Sequence, residues 1–495
     1  MDFCPVCHSE TDIADLEAHV NACLDSIEPT YQKLPETHNT QAASESYLTK
    51  FKQPVIQKAL PGKLKRKRDT VKVNAKEPSK GNHNVSNQHV KLNSNSSLDL
   101  QSNEPRPEYA SNAAAPQKLN ERAVKSARIA PWYKWIKDTT FTMDAFSFSI
   151  IPGCTHYFLS HFHSDHYMGL TRKFAGDLYC TEITKRLIIS QIKVDESRIT
   201  ALPMNVRVDI PNGGGCHVTL VDANHCPGAA IFLFELESGA RYLHTGDFRA
   251  SRDIHLKHPA ISSLPLDIVY LDTTYCHASH VFPPQNLVVD TIVNVVTRCF
   301  QGEKIQKIIN PKQSIYDFFN IVPRLLSKPE CRILVVVGTY LIGKEKVFLG
   351  IAEALDCKIY AESSRRNVYG CMSNPRLSNR IIKDPLIAKV HAVPMCRLNP
   401  ETLGAMLEKY RNTFDSIIAI KPTGWTFKAT SAAFGIGSLV PQYYKDVTIV
   451  PLPYSEHSSY SELEMFCRGL KIGKIVPTVN VGSVGKMQVL FSQWI

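Results

Sequence analysis

The chain has 495 residues, of which 43% are hydrophobic and 21% are charged, and its formal net charge at pH 7 is +11. No apolar run reaches the roughly 18–20 residues of a membrane-spanning helix, and the N-terminus lacks the basic-then-apolar order of a secretory signal. We therefore expect no membrane segment, a soluble intracellular protein with reduced cysteines, and a polyanionic partner that suits the positive charge.

The first 30 residues contain a set of metal ligands. Their spacing is Cys-x2-Cys-x11-His-x3-Cys, formed by Cys4, Cys7, His19 and Cys23. We expect the cysteine pair on a tight knuckle and the other two ligands one turn apart on a helix over residues 12–25. All four would then meet one structural Zn²⁺ ion tetrahedrally. A segment this short cannot bury enough apolar surface to fold without such an ion.

This pattern resembles the CCHC ubiquitin-binding zinc finger. The resemblance implies ubiquitin, or a ubiquitinated repair protein, as a partner. Residues 1–30 carry seven acidic and no basic side chains, which makes phosphate binding by this segment unfavourable. A zinc knuckle that serves only as a folded N-terminal cap remains the alternative.

The composition of the chain changes after residue 30. Residues 31–130 contain 18 lysines and arginines against 8 acidic residues, no cysteine and only four aromatic residues. A segment this polar is predicted to be a disordered basic linker. The basic run at residues 63–68 fits a nuclear import signal, from which we expect a nuclear protein. A solvated charge cluster or a non-specific DNA tether remains the alternative for this run.

The most informative motif lies at residues 161–166, directly after a strand predicted at 155–160. It holds four potential metal ligands, namely His161, His163, Asp165 and His166. The two histidines at a spacing of two point the same way at a strand end. The following turn brings Asp165 and His166 round to face a second ion. Imidazole and carboxylate donors without a thiolate favour a hydrolytic zinc-type site.

Two later residues complete this ligand set. His225 and Asp247 each follow a strand-like run, at 218–222 and 242–244 respectively. The predicted ligands are His161, His163 and His225 for one ion, and Asp165, His166 and a further histidine for the other. Asp247 is expected to bridge the two ions. Cys226 is expected to be a small buried residue and not a ligand.

This ordered series resembles the metallo-β-lactamase superfamily, in which an αββα sandwich carries the site on loops at one edge of two packed sheets. Motifs farther along the chain resemble the β-CASP subgroup. Within that subgroup they look like the DNA cross-link repair nucleases, the branch named for sensitivity to nitrogen mustard. Residues 141–146 look like the first motif of the superfamily, and the motifs that resemble the β-CASP subgroup lie at residues 271–275, 338–346, 421–425 and 453–460.

The resemblance covers about residues 131–495 and implies an α/β fold with an inserted domain. The expected parts are a CCHC zinc finger at 1–30, a linker at 31–130, the first part of the metallo-β-lactamase domain at 131–275, a β-CASP insert at 276–420 and the return to the first domain at 421–495. The insert is expected to form a cleft over the metals. Further strands are predicted at 231–236 and 268–271 in the sandwich, and at 333–337 in the insert.

The resemblance also implies roles for single residues. His457 corresponds to the late histidine that completes the second metal site. Asp272 belongs to the catalytic set, where it would orient a metal-binding histidine, and Asp144 would orient the histidine-rich loop. The residues expected to approach the substrate phosphate are Lys344, Thr423, Ser458 and Ser459. Taken one at a time, each of these four is more often a surface or capping group.

The substrate expectation rests on the residues after His457. None of them is a histidine, and residues 476–482 look like the aliphatic stretch of the DNA-acting relatives, so the resemblance favours DNA over RNA. The implied function is a metal-dependent 5′ to 3′ DNA exonuclease in interstrand cross-link repair, with one or two catalytic Zn²⁺ ions. Bound metal lowers the pKa of water to about 7, which supplies hydroxide for attack on phosphorus.

Two other functions remain open. One is a ubiquitin-reading repair scaffold with a weakly active hydrolase fold, and the other is an RNA-processing β-CASP nuclease. Retention of every metal ligand speaks against the scaffold. The sequence leaves the oligomeric state and the preferred DNA structure open.

Overall fold

The computed structural model describes residues 129–310, 332–424 and 434–495, together with two short strands near the N-terminus. These are β1 (Asp2–Phe3) and β2 (Glu10–Thr11), which pair antiparallel on either side of the segment that carries the first two cysteines. Several predicted features lie outside the described residues, namely Cys4, Cys7, His19, Cys23, the helix over 12–25, the basic run at 63–68 and the linker up to residue 128.

The remaining strands of the described residues lie in two sheets of the sandwich and one sheet of the insert. They are β3 (Phe141–Met143), β4 (His156–Phe158), β5 (Asp177–Thr181), β6 (Ile199–Leu202), β7 (Arg207–Asp209), β8 (His217–Asp222), β9 (Ala230–Glu235), β10 (Arg241–His244), β11 (Leu266–Leu271), β12 (Ile333–Thr339), β13 (Ile359–Tyr360), β14 (Ile381–Ile382), β15 (Val390–Pro394), β16 (Ser416–Pro422), β17 (Gln442–Tyr444), β18 (Val447–Leu452) and β19 (Ile472–Pro477). All six predicted strands are present within two residues of their predicted ends.

The α-helices alternate with these strands. They are α1 (Ser164–Tyr167), α2 (Glu182–Leu187), α3 (Pro259–Ser262), α4 (Gln285–Phe300), α5 (Ile305–Ile309), α6 (Glu345–Ala354), α7 (Ser363–Cys371), α8 (Pro375–Ser378), α9 (Pro400–Lys409), α10 (Tyr460–Arg468) and α11 (Val484–Trp494). In the part of the chain that the structure describes, no helix combines the length and the apolar character needed to cross a bilayer.

Two sheets pack face to face in the first domain. One is parallel, with the order β3-β4-β5-β6, and the other is mixed, with the order β19-β11-β10-β9-β8-β7. Aromatic side chains fill the space between them, because the ring of Phe158 lies 5.1 Å from that of Phe234 and 5.9 Å from that of Phe232. Full burial of one such side chain stabilises the fold by about 1.5–3 kcal/mol.

Strand β9 shows why this sheet needs cover on both faces. Its residues Ala230, Ile231, Phe232, Leu233 and Phe234 are all buried. Successive side chains of a strand point to opposite faces, so the two phenylalanines pack against the other sheet while the isoleucine and the leucine join the core beneath the helices. This layering confirms the αββα sandwich.

The inserted domain is built on a seven-stranded sheet of order β14-β13-β15-β12-β16-β18-β17. Its central strand β12 is parallel to both neighbours, β15 and β16. Leu334 and Val336 pack on one face against Leu403 and Leu407 of α9. The alternate side chains of β12 belong to the core on the other face, together with side chains of α4 and α6. Alternation of strands and helices is what a parallel sheet requires.

The insert ends later than the predicted return at residue 421. Strand β16 runs to Pro422, and β18 then pairs parallel with it from Ile417↔Val447 to Pro422↔Leu452. The next strand, β19, belongs to the sandwich, where it pairs parallel with β11. The motif at 421–425 therefore begins at the end of a strand of the insert, and the return starts after residue 452.

Candidate metal centre

Five candidate residues stand directly after, or a few residues beyond, the carboxyl ends of strands. Asp144 follows β3, His161 follows β4, His225 follows β8, Asp247 follows β10 and Asp272 follows β11. Strands β3 and β4 are parallel, β8 and β10 both run antiparallel to β9, and β11 runs parallel to β10. The carboxyl ends within each sheet therefore lie at one edge, and the two edges meet at the site.

The carboxylate of Asp247 lies at the centre of this site. Its Oδ2 atom is 3.2 Å from Nε2 of His166, 3.8 Å from Nε2 of His161, and 3.9 Å from Nε2 of both His225 and His457. Asp247 is buried. One carboxylate oxygen thus faces four imidazole nitrogens, which is the arrangement that a ligand shared between two ions needs.

His163 is oriented differently from the other histidines. Its Nδ1 atom lies 2.8 Å from Nε2 of His161 and 3.1 Å from Nε2 of His225, while its Nε2 atom lies 3.2 Å from the carbonyl oxygen of Ile342. His163 therefore presents Nδ1 to the site. The groups whose ligand atoms lie within 4.8 Å of one another are His161, His163, His225 and Cys226; His161, His166 and Asp247; and His225, Asp247 and His457.

Carboxylates orient the two histidines of the second predicted site. Nδ1 of His166 is 2.8 Å from Oδ2 of Asp144, and Nδ1 of His457 is 2.9 Å from Oδ2 of Asp272. A proton held on the outer nitrogen leaves the lone pair on Nε2, which faces inward. Asp144 and Asp272 thus occupy the positions that their predicted roles require.

Neutral groups orient the histidines of the first predicted site. Nδ1 of His225 donates to the backbone carbonyl of Glu456 at 2.9 Å, and Nδ1 of His161 lies 2.9 Å from Oγ of Ser160. Ser160 also donates its N–H and its hydroxyl to the two oxygens of Asp144, each at 2.8 Å. The inner nitrogens of both rings are thereby aimed at the site.

Gly246 allows the turn that carries Asp247 to close on this loop. It adopts φ +53°, and a Cβ atom at this position would lie 2.6 Å from Cβ of Ser160. No side chain fits into that space without moving the backbone. Glycine is therefore required where the loops after β4 and β10 touch.

Burial and the neighbouring carboxylates have opposite effects on the histidines of the centre. Burial lowers the pKa of His161 and His225 well below the usual value, which keeps both rings neutral as metal binding requires. Burial acts against protonation of His166 and His457 too, but the neighbouring carboxylates prevail. They raise the pKa of His166 well above its usual value and that of His457 to about 9. A cation would compensate these same carboxylates.

Asp165 lies beside the centre and not within it. One of its carboxylate oxygens is 3.5 Å from Nε2 of His166, but its side chain is 68% exposed. It is absent from the compact groups of potential ligands among the described residues. The structure therefore brings together His161, His163, His166, His225, Asp247 and His457, with Asp165 at the rim.

Lys344, one of the four predicted phosphate-binding residues, lies on the insert side of the site. The residue is 5% exposed. Its Nζ atom lies 4.9 Å from the ring centre of Tyr340, 5.6 Å from that of Tyr454 and 3.9 Å from Oε2 of Glu456. An ammonium group held against two aromatic faces is stabilised by cation–π attraction.

The other three predicted phosphate residues have partners within the fold. The Ser458 hydroxyl donates to the carbonyl of Phe248 and accepts the N–H of Ala250, each at 2.9 Å. The Ser459 hydroxyl caps helix α10 by accepting the N–H of Glu462. The backbone N–H of Thr423, a half-buried residue, donates to the carbonyl of Leu452 at 2.8 Å. Both serine hydroxyls thus fasten the loop around His457.

Two residues of the site were not predicted from the sequence. Ser160 and Glu456 each stand next to a predicted ligand, and that adjacency was the available signal. Cys226 is buried, as expected, and its Sγ atom lies within 4.8 Å of ligand nitrogens of three histidines. Burial and nearby carboxylates raise its pKa well above the usual value, so the thiol holds its proton.

The donor set fits a divalent metal ion. Imidazole nitrogens and one shared carboxylate converge in a buried pocket, and the inner nitrogens of His166, His225 and His457 each have an outer partner that fixes the tautomer of the ring. Such nitrogen and oxygen ligands suit Zn²⁺ and comparable ions.

Comparison with known proteins places this site in a family. The DNA repair metallo-beta-lactamase family matches residues 375–483. The chain is 38% identical over 374 residues to the DNA cross-link repair protein SNM1 of Arabidopsis thaliana, which covers 75% of this chain and 71% of that protein. It is 30% identical over 345 residues to the 5′ exonuclease Apollo of Gallus gallus, with 70% of this chain and 63% of that protein covered.

A longer relative shows the same similarity over part of its length. The DNA cross-link repair 1A protein of Gallus gallus is 41% identical over 352 residues, which covers 71% of this chain and 33% of that protein. The chain thus spans about a third of that relative. The identity to the plant protein extends over more than two thirds of both chains. The chain therefore belongs to the DNA cross-link repair family of metallo-β-lactamase/β-CASP proteins.

Proposed function

We propose that the chain is a metal-dependent exonuclease that hydrolyses DNA from a 5′ end during interstrand cross-link repair. The observation that carries the proposal is the convergence of four imidazole Nε2 atoms on one oxygen of Asp247. The names of the relatives, which include cross-link repair proteins and a 5′ exonuclease, support the same activity.

The residues of the centre divide into two sets around Asp247. His161, His163 and His225 would hold one ion, and His166 and His457 the other. Divalent ions bound there would activate water for attack on phosphorus and stabilise charge on the leaving oxygen. No sulfur nucleophile is needed, because the attacking group would be water activated at the metal centre.

The remaining residues keep this geometry fixed during turnover. Asp144 and Asp272 hold the outer protons of His166 and His457, so neither ring can rotate or change tautomer without losing a charge-assisted hydrogen bond. Ser160 ties Asp144 to the histidine loop. Ligands that are already in position before the substrate binds need not rearrange during the reaction, which lowers its activation free energy.

DNA as the substrate is supported by charge and by one stretch of backbone. Residues 131–495 carry a net charge of +8, which suits a polyanion. The aliphatic segment at 476–482 begins at the end of β19 and contacts Thr273, whose hydroxyl donates to the carbonyl of Val479. Val479 is aliphatic and adds no metal ligand to the centre. This agrees with the aliphatic stretch of the DNA-acting relatives.

The N-terminal segment supports a second part of the proposal. The four ligands Cys4, Cys7, His19 and Cys23 would hold a structural Zn²⁺ ion, and the acidic finger would bind ubiquitin or a ubiquitinated repair protein. The basic run at 63–68 would direct the protein to the nucleus. In this proposal the finger recruits the enzyme to damage and takes no part in hydrolysis.

The first prediction concerns the second set of ligands. His166→Ala should lower nuclease activity by more than about a hundredfold, and Asp144→Asn, which weakens the contacts that orient His166 and Ser160, by about 10–100-fold. The measurements are digestion of end-labelled DNA and metal content by mass spectrometry. His217→Ala serves as the control. It should retain activity, because His217 is the first residue of β8 and the site lies beyond the other end of that strand. Near-normal turnover by His166→Ala would rule out the assigned centre.

The second prediction concerns the DNA end and the predicted phosphate residues. A 5′-phosphorylated strand should be digested about 10–100-fold faster than its 5′-hydroxyl counterpart, because one charge-assisted phosphate contact contributes about 1.5–3 kcal/mol. Lys344→Ala should slow only the phosphorylated strand. Lys358→Ala, an exposed lysine of the same domain, controls for the loss of one charge.

Equal rates on both ends in the unmodified enzyme would refute the phosphate site. Matched single-stranded RNA tests the substrate class in the same assay, since faster digestion of RNA than DNA would favour the RNA-processing alternative. An absence of turnover on every nucleic acid, with the metal bound, would favour the repair scaffold.

The third prediction separates recruitment from hydrolysis. Cys7→Ala should abolish binding of the full chain to immobilised ubiquitin, because three ligands do not close a structural zinc site. Digestion of free DNA by the same preparation should remain unchanged. Normal ubiquitin binding by this variant would contradict the finger assignment.

A further inference from the structure

Glu456 contacts both halves of the proposed site. Its backbone carbonyl accepts the Nδ1 proton of His225 at 2.9 Å. Its side chain reaches into the insert, where Oε1 accepts the backbone N–H of Lys344 at 2.7 Å and Oε2 lies 3.9 Å from Nζ of the same lysine. A single buried residue thus connects a metal-ligand histidine with the lysine of the predicted phosphate site.

The backbone of Lys344 depends on this contact. Lys344 adopts φ +68°, a left-handed conformation that residues with side chains other than asparagine, aspartate and histidine rarely take. The bond from its N–H to Glu456 is a charge-assisted hydrogen bond, which favours this conformation over the extended alternatives. The lysine is therefore held at the N-terminus of α6 with its side chain directed between two tyrosine rings.

The residue before the lysine is adapted to the same carboxylate. Gly343 has φ +97°, and a Cβ atom there would lie 2.8 Å from Oε2 of Glu456. Any other residue would push the carboxylate away from the loop. Two consecutive residues with positive φ thus meet the Glu456 side chain, one through its hydrogen bond and one through close approach.

The ammonium group of Lys344 forms no hydrogen bond with the Glu456 carboxylate. Among the residues that the structure describes, no acceptor lies within hydrogen-bonding distance of Nζ of Lys344, and the nearest carboxylate oxygen, of Glu456, is at 3.9 Å. The charge of a mostly buried ammonium is screened less than that of one in bulk water, so an anion that reaches it is attracted more strongly. Glu456 therefore holds the lysine in place without occupying its hydrogen-bonding capacity.

We propose that Glu456 is the positioning residue of the phosphate site, and that it fixes the Lys344 ammonium at a constant place relative to His225 so that it meets a terminal 5′-phosphate. This inference rests on the proposed function. The position of the lysine, and not the charge of the carboxylate, is what the enzyme uses, because a negative charge beside Nζ by itself weakens attraction for phosphate.

Three substitutions separate position from charge. Glu456→Gln keeps an acceptor oxygen for the Lys344 N–H and removes the charge, so the preference for 5′-phosphate over 5′-hydroxyl DNA should be kept or increased. Glu456→Ala removes both and should lower that preference about tenfold, by slowing only the phosphorylated strand. Glu456→Asp keeps the charge but is too short to reach the N–H, so it should resemble the alanine variant.

Two further measurements distinguish positioning from general damage. Metal content should stay unchanged in all three variants, because His225 is held by the backbone carbonyl. Acylation of Lys344, mapped by mass spectrometry in the absence of DNA, should increase in Glu456→Ala toward that of exposed Lys474. Glu464→Ala, on the surface of α10, is the matched control and should leave every readout unchanged.

The outcomes that would overturn the inference are separate from failure of the proposed function. An inactive unmodified enzyme contradicts the exonuclease, whereas labelling of Lys344 still reports the hold exerted by Glu456. Unchanged labelling in Glu456→Ala overturns the inference. So does an unchanged 5′-phosphate preference in that variant, an equal loss in Glu456→Gln and Glu456→Ala, or an equal slowing of both DNA ends.

Discussion

The buried carboxylate of Asp247 is the interaction on which the site depends. A single oxygen faces four imidazoles that come from three different loops, and these loops belong to both sheets of the sandwich and to the returning segment after the insert. Converging lone pairs and a buried negative charge are unfavourable when left alone in a low dielectric, and metal cations would offset both. The tight turn at Gly246 and the orienting contacts of Ser160, Asp144 and Asp272 all serve to hold that arrangement.

The insert contributes to the same site through one loop. Strand β12 ends at Thr339, and the buried guanidinium of Arg365 donates to the Thr339 hydroxyl at 2.6 Å and also to the carbonyl of Tyr340. These bonds fix the start of the loop, and Glu456 fixes its end at Lys344. The loop also provides the carbonyl of Ile342 that lies beside Nε2 of His163. Hydrogen bonds of this one loop therefore link the packing of the insert to the orientation of His163, a candidate metal ligand.

The sequence identified candidate ligands because the pattern that marks them is local. Histidines at a spacing of two after an apolar run identify a strand end, and burial of alternating residues such as Phe232 and Leu233 follows from period-two patterning. The parts that the sequence did not predict depend on contacts between distant segments. The inverted ring of His163 is set by Ile342, 179 residues away, and the late return of the chain is set by pairing of β16 with β18. The two serines after His457 have the right chemistry for phosphate, but their hydroxyls are used by Phe248 and by the cap of α10.

The central claim is that Asp247 is shared between two metal ions, and anomalous diffraction at the absorption edge of the bound metal tests it most directly. Crystals of the full chain should show two adjacent peaks in the sandwich, one contacting His161, His163 and His225 and the other contacting His166 and His457, with the Asp247 carboxylate touching both. A single peak that leaves Asp247 without a metal, or one bound through Sγ of Cys226, would contradict this account of the centre.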